Sequence, residues 1–446
     1  MNSFNGSPMA IVPSTDLKVV HLCTNDSAGG AAIAARRLMM AQRACGIHAD
    51  MLVLKSTSGT PHVSPLWEES PWVKGLALGK KVLEAGSSWI CQGFRRARIF
   101  ETSIPITGFS LRHHPLIHSS DVIHLHWINQ GFLGIRSLRE IAQLDKRIVF
   151  TLHDVWPVTA VCHYLDDCTK FCEKKGCYDC PQLQPGIPFL DIAHLVFEQK
   201  KRLYQAMKPS FVGCSRWITS EAKRSSLSGS YPIDTIPNVF DKDSFYPTPR
   251  VQARLQLGLP TDRPILLFGA ARLDNPRKGF QEMIAALQHF YATPYAQEMR
   301  PLAVLFGKIE QPDQLAPLRS IDLKCVGYIS SPQEMALYYS AANVFVTPSL
   351  TDNLPNTIIE AAATGCPTVA FQVGGIPEMI IHGTTGYLAR YRDIEDLSRG
   401  ITEMLQATEE GPIDLCRTET FRRYDTTTIV KQYNDVYQRR NYTDDN

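Results

Sequence analysis

Short apolar runs rich in β-branched residues recur along the chain, and several are followed by a stretch of helical composition. The runs predicted as strands, some with the turn that follows them, cover residues 18–23, 51–54, 121–126, 147–153, 211–217, 263–269, 302–307, 325–329, 343–347 and 368–371. Strands that alternate with helices are typical of βαβ units, which build parallel sheets. The pattern therefore predicts an α/β fold with doubly wound sheets, in two or three domains over 446 residues.

Composition and charge narrow the class of protein. The formal net charge of +2 argues against a general nucleic-acid binder, and no run reaches the roughly 18 apolar residues of a membrane span. The first 16 residues lack a basic segment followed by an apolar core, so we expect no secretory signal and a cytoplasmic protein. In that compartment the 12 cysteines are expected to be thiols or metal ligands.

The stretch from residue 348 to residue 367 carries the clearest chemistry. Asp352 lies in the loop before the predicted helix 356–364, and Glu360 lies on that helix. Ligands of strand–loop–helix units bind at the helix N-terminus, which offers unpaired N–H groups and a partial positive charge. The two carboxylates can accept hydrogen bonds from hydroxyls at opposite ends of one polar ligand. The alternative is that Asp352 caps the helix and Glu360 is a solvated helix residue.

A second set of charges lies at the first strand-to-helix turn of the second half. Arg272 and Lys278 follow the run 263–269, and Gly279 and a predicted helix come next. Two cations beside a helix N-terminus suit a diphosphate, because Arg offers a fork of donors and Lys a point charge.

Together these motifs resemble those of the retaining glycosyltransferases of family 4, which have the two-domain GT-B fold. The family signature is Glu-x7-Glu, and Asp352 stands where the first Glu is expected, which leaves the identity of the donor sugar open. The resemblance implies that Asp352 holds hydroxyls of the donor sugar, that Glu360 holds the ribose, and that Arg272 and Lys278 clamp the diphosphate. The predicted donor contacts also include Gly29, Gly30, Gly269, Gly327, Tyr328, Asn353, Leu354 and Pro355.

In the first half, two predicted strands end in a histidine, His126 and His153. Strand ends are where an open α/β sheet builds its site. The resemblance places His153 beside the donor sugar and the acceptor, as a catalytic residue, whereas for His126 we favour a hydrogen bond in the core. Gly29 and Gly30 follow the first strand and permit close approach to a phosphate or an acceptor; a plain tight turn is the alternative.

The resemblance also implies the domain boundaries. It predicts a flexible N-terminus over residues 1–16, an acceptor-binding Rossmann-like domain over 17–237 and a nucleotide-sugar-binding Rossmann-like domain over 238–425, the two facing a central cleft. A closing helix over 426–446 is expected to cross back to the first domain. The segment 234–241 resembles the interdomain linker of the family.

The predicted first domain contains a basic, aromatic insertion over residues 71–106. Between residues 72 and 98 it has six cations and one acid, a net charge of +5. These charged residues are Lys74, Lys80, Lys81, Arg95, Arg96, Arg98 and Glu84, interleaved with Trp72, Trp89, Phe94 and, just beyond, Phe100. Such a stretch can lie on an anionic bilayer, here the inner face of the plasma membrane. The alternative is a solvated helix pair that covers the sheet.

A cysteine-rich loop over residues 162–180 follows His153. Cys177 and Cys180 have the spacing of a zinc knuckle, and Cys162 and Cys168 are near enough in sequence to complete a tetrahedral site. We predict one structural zinc on these four thiolates, with Cys172 as a substitute ligand and His163 as a poorer one. The intervening residues are too polar to form a core, which a metal would explain; five reduced structural thiols are the alternative. Some exopolysaccharide transferases of the family carry a similar segment.

The expected function is that of a hexosyltransferase. It would move a sugar, with retention, from a UDP- or GDP-sugar to a hydroxyl of a glycan or lipid-linked glycan, in exopolysaccharide synthesis of the colanic-acid type or that of another cell-surface glycan. Arg272, Lys278 and the helix after Asn353 would stabilise the leaving diphosphate, so no catalytic divalent metal is expected. The alternatives are a nucleotide-sugar epimerase or hydrolase on the same fold, and a non-catalytic, zinc-stabilised binding protein.

Overall fold

The computed structural model describes residues 17–66, 70–94, 101–183, 191–273, 275–310, 312–408 and 414–439. The chain divides into two compact units. The first unit comprises Met1–Val239 and Thr426–Asn446, and the second comprises Phe240–Asp425. The predicted N-terminal segment 1–16 lies outside the described residues.

The strands of the first unit are β1 (Lys18–Asn25), β2 (His48–Lys55), β3 (Val63–Pro65), β4 (Val122–Leu125), β5 (Arg147–Leu152), β6 (Ser210–Gly213) and β7 (Ile233–Thr235). They form one parallel sheet in the order β3-β2-β1-β4-β5-β6-β7. Its helices are α1 (Gly30–Ala44), α2 (Pro71–Cys91), α3 (Pro115–Ser119), α4 (Ile135–Ala142), α5 (Ile192–Met207) and α6 (Arg216–Arg224).

The strands of the second unit are β8 (Ile265–Arg272), β9 (Leu302–Lys308), β10 (Leu323–Gly327), β11 (Val344–Thr347), β12 (Thr368–Phe371) and β13 (Gly386–Ala389). They form a parallel sheet in the order β10-β9-β8-β11-β12-β13. Its helices are α7 (Arg250–Leu257), α8 (Phe280–Tyr291), α9 (Pro294–Met299), α10 (Pro332–Ala341), α11 (Asn356–Ala363), α12 (Ile394–Ala407) and α13 (Asp414–Arg423). The last helix, α14 (Thr426–Gln438), belongs to the first unit.

The two faces of the first sheet differ in polarity. Strand residues on one face, such as Leu22 of β1, Leu125 of β4 and Phe150 of β5, belong to the apolar core. Because side chains alternate along a strand, the opposite face carries the residues between them, including His21 and His124. The register pairs these two histidines on adjacent strands, and both are fully buried. One face of the first sheet therefore buries two polar side chains next to each other on adjacent strands.

The predicted α/β fold with doubly wound parallel sheets is confirmed. The short strands β3, β7 and β13 were not predicted, because their sequences, Val-Ser-Pro, Ile-Asp-Thr and Gly-Tyr-Leu-Ala, contain no run of β-branched apolar residues. β7 also contains Asp234 and Thr235, so the start of the predicted linker is an edge strand of the first sheet. The predicted strands that end in His126 and His153 each stop one residue earlier, so both histidines begin loops.

The insertion at 71–106 contains a single described helix, α2, instead of the helix pair considered from sequence. Arg95, Arg96, Arg98 and Phe100 lie outside the described residues. Of the helices in the described part of the chain, none combines the length and the apolar composition needed to cross a bilayer.

Candidate functional site

Each sheet has one point at which the strand order reverses. In the second unit this point lies between β8 and β11, and in the first unit between β1 and β4. Loops at the carboxyl ends of such strand pairs diverge and leave a crevice, which is where open α/β sheets bind ligands. The loops that follow β8 and β11 contain Lys278 and Asp352, two of the predicted site residues.

Lys278 and Asp352 meet at this crevice in the second unit. The Lys278 Nζ donates to Asp352 Oδ2 at 2.5 Å, and the Asn353 N–H donates to the other carboxylate oxygen at 3.1 Å. Arg277 lies beside them and donates from Nη1 to the Thr351 carbonyl at 3.3 Å. Burial opposes ionisation of Asp352, but Lys278 and then Arg277 outweigh it and hold the pKa of the carboxyl below its usual value. Asp352 is thus an ionised group in a cationic setting.

Two glycines allow the backbone to close around this pair. Gly279 has φ 66°, and a Cβ there would lie 1.8 Å from the Pro348 carbonyl oxygen. Gly374 has φ 57°, and a Cβ there would lie 1.9 Å from the Asp352 carbonyl oxygen. Both positions therefore require glycine, because a side chain would clash with the loop after β11 and would strain the backbone.

Arg272 lies at the end of β8 and pairs with a different carboxylate. Its Nη2 donates to Glu310 Oε1 at 2.5 Å, and both side chains are more than half exposed. The two cations of the predicted clamp are therefore each engaged by a separate acid, Lys278 by Asp352 and Arg272 by Glu310. Glu310 was not anticipated from the sequence.

The alternative roles considered for the two carboxylates, a helix cap for Asp352 and a solvated helix residue for Glu360, are both wrong. α11 begins after Pro355, and its cap position makes no side-chain hydrogen bond, so Asp352 does not cap the helix. Glu360 is only 8% exposed, so it is not a solvated helix residue. Glu360 is buried on the helix that follows this crevice, and its ligand-binding role stays a prediction.

The remaining predicted donor residues of the second unit fall into two groups. Asn353, Leu354 and Pro355 are buried in the loop before α11. Gly327 ends β10 with φ 74°, and Tyr328 is 52% exposed beside it.

Gly269 has a separate reason to be glycine. A Cβ on this residue of β8 would lie 2.4 Å from the Phe306 ring of β9, so packing within the sheet already requires glycine there. A ligand is not needed to explain this residue.

In the first unit, Gly29 and Gly30 are exposed where β1 passes to α1. Gly29 has φ 93° and precedes the helix, and Gly30 is its first residue. The loop is held by Asp26, whose carboxylate accepts hydrogen bonds from the Ser56 hydroxyl at 2.6 Å and the Thr57 N–H at 3.0 Å. The two glycines thus lie at the crevice of the first sheet, between β1 and β4.

His153 follows β5 and belongs to a group of four histidines. His126 Nδ1 and His153 Nε2 are 3.0 Å apart, and His21 Nδ1 and His126 Nε2 are 2.9 Å apart. Burial lowers the pKa of His21 and of His153 to about 4, and lowers those of His124 and His126 well below the usual value. The preference for a core hydrogen bond at His126 is confirmed, and His153 shares the same network.

Within the described residues, one set of three metal-capable side chains comes together, namely His21, His124 and His126, with nitrogen atoms within 4.8 Å of one another. The His21–His126 separation of 2.9 Å is that of a hydrogen bond. Two imidazoles on a tetrahedral zinc would have their nitrogens about 3.3 Å apart. His124 also bonds through both nitrogens, to Tyr437 and Thr151, each at 2.7 Å. We therefore describe this set as a hydrogen-bonded network.

The four predicted zinc ligands line one small cavity, together with Thr159, Leu165, Lys170, Phe171 and Tyr178. The sulfurs of Cys162 and Cys180 are 3.8 Å apart, but no three of the thiols lie mutually within 4.8 Å. Their hydrogen bond raises the pKa of Cys162 and lowers that of Cys180 to about 7.

The loop also has its own apolar anchors, which corrects the expectation that it is too polar to pack. Phe171 and Cys177 are buried in the core of the first unit. His163 is engaged elsewhere, with Nδ1 at 2.7 Å from Asp154 Oδ2 and Nε2 at 2.9 Å from Ser103 Oγ.

Sequence reasoning missed several members of these networks. The His21 position carried a weak signal, a polar residue inside an otherwise apolar strand. Gln42 and Tyr437 carried none, since they lie on helices 395 residues apart and meet only in the folded first unit, where the Gln42 Nε2 donates to Tyr437 Oη at 2.9 Å.

Comparison with known proteins shows which families and proteins this chain resembles. Residues 263–407, all within the second unit, match the family model described as "Glycosyl transferases group 1". The chain is 29% identical over 235 residues to D-inositol 3-phosphate glycosyltransferase of Frankia alni, covering 47% of this chain and 57% of that protein. It is 30% identical over 192 residues to D-inositol 3-phosphate glycosyltransferase 2 of Catenulispora acidiphila, covering 41% and 44%. The chain thus spans about half the length of the relatives it matches.

Solved structures resemble the chain over nearly its whole length. Anabaena HepE in complex with UDP and glucose aligns with a TM-score of 0.58 at 16% identity, covering 94% of this chain and 99% of that one. A sucrose-phosphate synthase from Thermosynechococcus elongatus aligns with a TM-score of 0.58 at 21% identity, covering 94% and 98%. At such identities the likeness shows the fold, and it confirms the predicted GT-B architecture of two Rossmann-like sheets.

The family match and the names of the relatives agree with the predicted glycosyltransferase class. They do not single out family 4 or exopolysaccharide enzymes, since these two relatives are named for inositol 3-phosphate.

Proposed function

We propose that this chain is a retaining glycosyltransferase that moves a sugar from a nucleotide diphosphate donor to a hydroxyl acceptor. The observation that carries the proposal is the Lys278–Asp352 pair at the strand-order reversal of the second sheet, with Glu360 buried on the helix that follows. A cation for the leaving phosphates and carboxylates for hydroxyls are the groups that a nucleotide sugar requires.

In this proposal the chemistry is mainly electrostatic. Departure of a nucleoside diphosphate leaves additional negative charge on its terminal phosphate, and donors already in place stabilise that charge. Lys278 and Arg272 take this role, and Arg277 is a third cation at the same turn. Asp352 accepts hydrogen bonds from hydroxyls of the transferred sugar, and Glu360 accepts those of the ribose. His153 lies beside the sugar, and the acceptor hydroxyl attacks from the face that the diphosphate leaves.

Support for the donor class comes from the fold neighbour HepE, which was solved with UDP and glucose. We therefore take a UDP-sugar as the first donor to test and a GDP-sugar as the second. The relatives suggest inositol 3-phosphate as one acceptor, and the cysteine segment suggests an exopolysaccharide glycan as another. An epimerase, a hydrolase or a binding protein on the same fold would need no such acceptor.

The test is a thermal-shift panel of UDP, GDP and ADP followed by product analysis. One nucleotide at 100 times its Kd should stabilise the protein by about 2.7 kcal/mol. A new glycoside formed only with added acceptor identifies a transferase, whereas free sugar or an epimerised donor formed without acceptor identifies the rival enzymes. No shift with any nucleotide would refute the proposal.

We further propose that α2 lies on an anionic membrane surface in the cytoplasm, where a lipid-linked acceptor would be found. The helix buries Ala77, Glu84 and Ser88 but exposes its larger apolar side chains, which inverts the usual pattern. Trp72, Leu76, Leu83 and Ile90 are 54–89% exposed at positions that share one helical face. Leu78 and Val82, 57% and 60% exposed, extend this apolar surface around the helix as far as Lys74 and Lys81, which are exposed and suit acidic headgroups.

Glu84 explains how α2 stays attached to the rest of the first unit although its larger apolar side chains are exposed. Its carboxylate accepts hydrogen bonds from the Gln130 N–H at 2.9 Å and the Gly131 N–H at 2.6 Å. Sedimentation with phosphatidylcholine vesicles should require added phosphatidylserine, and Leu76→Glu with Leu83→Glu should abolish it. Leu255→Glu, at a residue of the second unit that is 69% exposed, is the control. Equal binding by the α2 variant would contradict this assignment.

The structural zinc on the cysteine loop also remains our proposal. The separation of 3.8 Å between the Cys162 and Cys180 sulfurs is that of two thiolates on one tetrahedral zinc, for which Zn–S bonds of about 2.3 Å give an edge of about 3.8 Å. Cys168 and Cys177 line the same cavity, and binding would draw their sulfurs inward.

Elemental analysis of protein purified without added metal should give about one zinc per chain. Cys177→Ser should lose the metal and lower the melting temperature, whereas Cys91→Ser, outside the loop, should not. Metal-free protein with unchanged stability in both variants would leave the cluster as ordinary packing.

A further inference from the structure

Three of the group of four histidines described above, His21, His126 and His153, form part of a continuous chain of hydrogen bonds that begins at a glutamine. The Gln42 Oε1 is 2.7 Å from His21 Nε2, His21 Nδ1 is 2.9 Å from His126 Nε2, and His126 Nδ1 is 3.0 Å from His153 Nε2. The last member, His153 Nδ1, is 3.7 Å from the Cys214 sulfur. Each central imidazole thus uses one nitrogen toward each neighbour.

The direction of the donors in this chain follows from its first member. An amide oxygen only accepts, so His21 must carry its proton on Nε2. A neutral imidazole has one N–H, which makes His21 Nδ1 an acceptor and His126 Nε2 a donor. The same step then makes His126 Nδ1 an acceptor and His153 Nε2 a donor. Every hydrogen bond in the chain receives one proton, and His153 Nδ1 carries none, so toward the Cys214 thiol it can only accept.

A second branch from the same glutamine agrees with this orientation. The Gln42 Nε2 donates to Tyr437 Oη at 2.9 Å, which leaves the Tyr437 hydroxyl proton for His124 Nδ1 at 2.7 Å. His124 then donates from Nε2 to Thr151 Oγ1 at 2.7 Å. Turning the Gln42 amide over would reverse every one of these donors. The amide therefore couples the two branches, and both of its polar atoms have a partner.

We propose that Gln42 is a positioning residue that fixes His153 as the tautomer protonated on Nε2, through His21 and His126. In that tautomer the Nδ1 of His153 can only accept, so the Cys214 thiol, or a ligand hydroxyl that takes its place, has to donate. The opposite tautomer would offer an N–H there and would favour a ligand oxygen that accepts. The chain ends at an amide, which cannot release a proton to solvent, so it sets a tautomer and does not conduct protons.

The tautomer is a property of the protein alone, whereas its effect on turnover rests on the proposed transferase function. The experiment therefore records the ¹⁵N shifts of the imidazole nitrogens in histidine-labelled protein without ligand, with His153 assigned by the signal lost in His153→Asn. Wild-type protein should show His153 protonated on Nε2 only. Gln42→Met keeps the side-chain length but removes donor and acceptor, and should give His153 as a mixture of tautomers.

The matched control is Gln92→Met, which alters another buried glutamine of the same unit, one that donates to Thr102 Oγ1 at 2.8 Å outside the chain. It should leave His153 as in the wild type. A His153 protonated on Nδ1 in the wild type, or one unchanged in folded Gln42→Met, would overturn the proposal.

A wild-type measurement keeps the proposal testable if Gln42→Met does not fold. Couplings between ¹⁵N nuclei across the His21–His126 and His126–His153 hydrogen bonds should be present, and their absence would refute the chain. In an active preparation, Gln42→Met should lower turnover by roughly tenfold with little change in nucleotide affinity. If the protein binds no nucleotide, the proposed function is refuted, but the tautomer result still stands.

Discussion

The two units place polar groups at equivalent points of similar sheets but solve the problem of burying them differently. At the strand reversal of the first sheet the groups are histidines, all shifted toward the neutral form and paired through single N–H donors. At the reversal of the second sheet they are ionised, with Lys278 against Asp352 and Arg272 against Glu310. Neutral partners avoid the cost of burying charge, whereas ion pairs keep the charge that a phosphate ligand needs.

This difference implies that the units respond differently to acid. Histidines unfolded in water have a pKa near 6.5, whereas that of buried His21 is about 4. Between these values the unfolded chain binds more protons than the fold, so the first unit should lose stability as the pH falls from about 6.5 to about 4. His21 alone accounts for a loss of about 3 kcal/mol.

The second unit should not share this loss. The pKa of Asp352 lies below its usual 3.8 and that of Asp396 is about 2, so both stay ionised over the same range and lose their contribution only at lower pH. Hydrogen exchange at pH 7.5 and pH 5, corrected for intrinsic rates, should show faster opening of β1 and β4 but not of β8 and β11. Equally faster hydrogen exchange in both units at pH 5 would show that the two units do not differ in their response to acid.

The charged site is tested by removing its cation. Lys278→Ala leaves Asp352 without its partner and takes a donor from the leaving phosphate, so turnover should fall by roughly 10² or more. Lys242→Ala, which removes an exposed lysine of the same unit, should have little effect. Wild-type turnover in a folded Lys278→Ala variant would show that the diphosphate lies elsewhere.

The smallest effect is expected at the exposed ion pair. Glu310 pairs with Arg272, so it would compete with a ligand phosphate for that guanidinium, and an exposed pair of this kind is worth up to about 1 kcal/mol. Glu310→Gln should therefore tighten nucleotide binding by up to about fivefold, as measured by calorimetry at low salt. Glu298→Gln removes an exposed acid of α9 and controls for net charge. Weaker binding by Glu310→Gln would mean that Glu310 itself contacts the ligand.

Much of the secondary structure, and the position of several candidate site residues, can be predicted from the local sequence pattern. Apolar runs predicted ten of the strands, and parallel α/β order followed because each run precedes a helical stretch or another run. Asp352 and Lys278 were found because each lies in the loop directly after a strand, and strand ends of parallel sheets meet at one edge. The Glu360 position likewise follows from its place on the next helix.

Contacts between distant segments were decided only by the tertiary structure. The partner of Arg272 is Glu310, from the loop after β9, because that strand lies beside β8 in the sheet. Gln42 reaches His21 because α1 packs against β1, and it reaches Tyr437 because the returning α14 packs against α1. The sequence shows the histidines and the apolar pattern of buried strands. Hydrogen bonds between side chains hundreds of residues apart depend on the strand order and on the return of α14 to the first unit, and no short stretch of sequence contains that information.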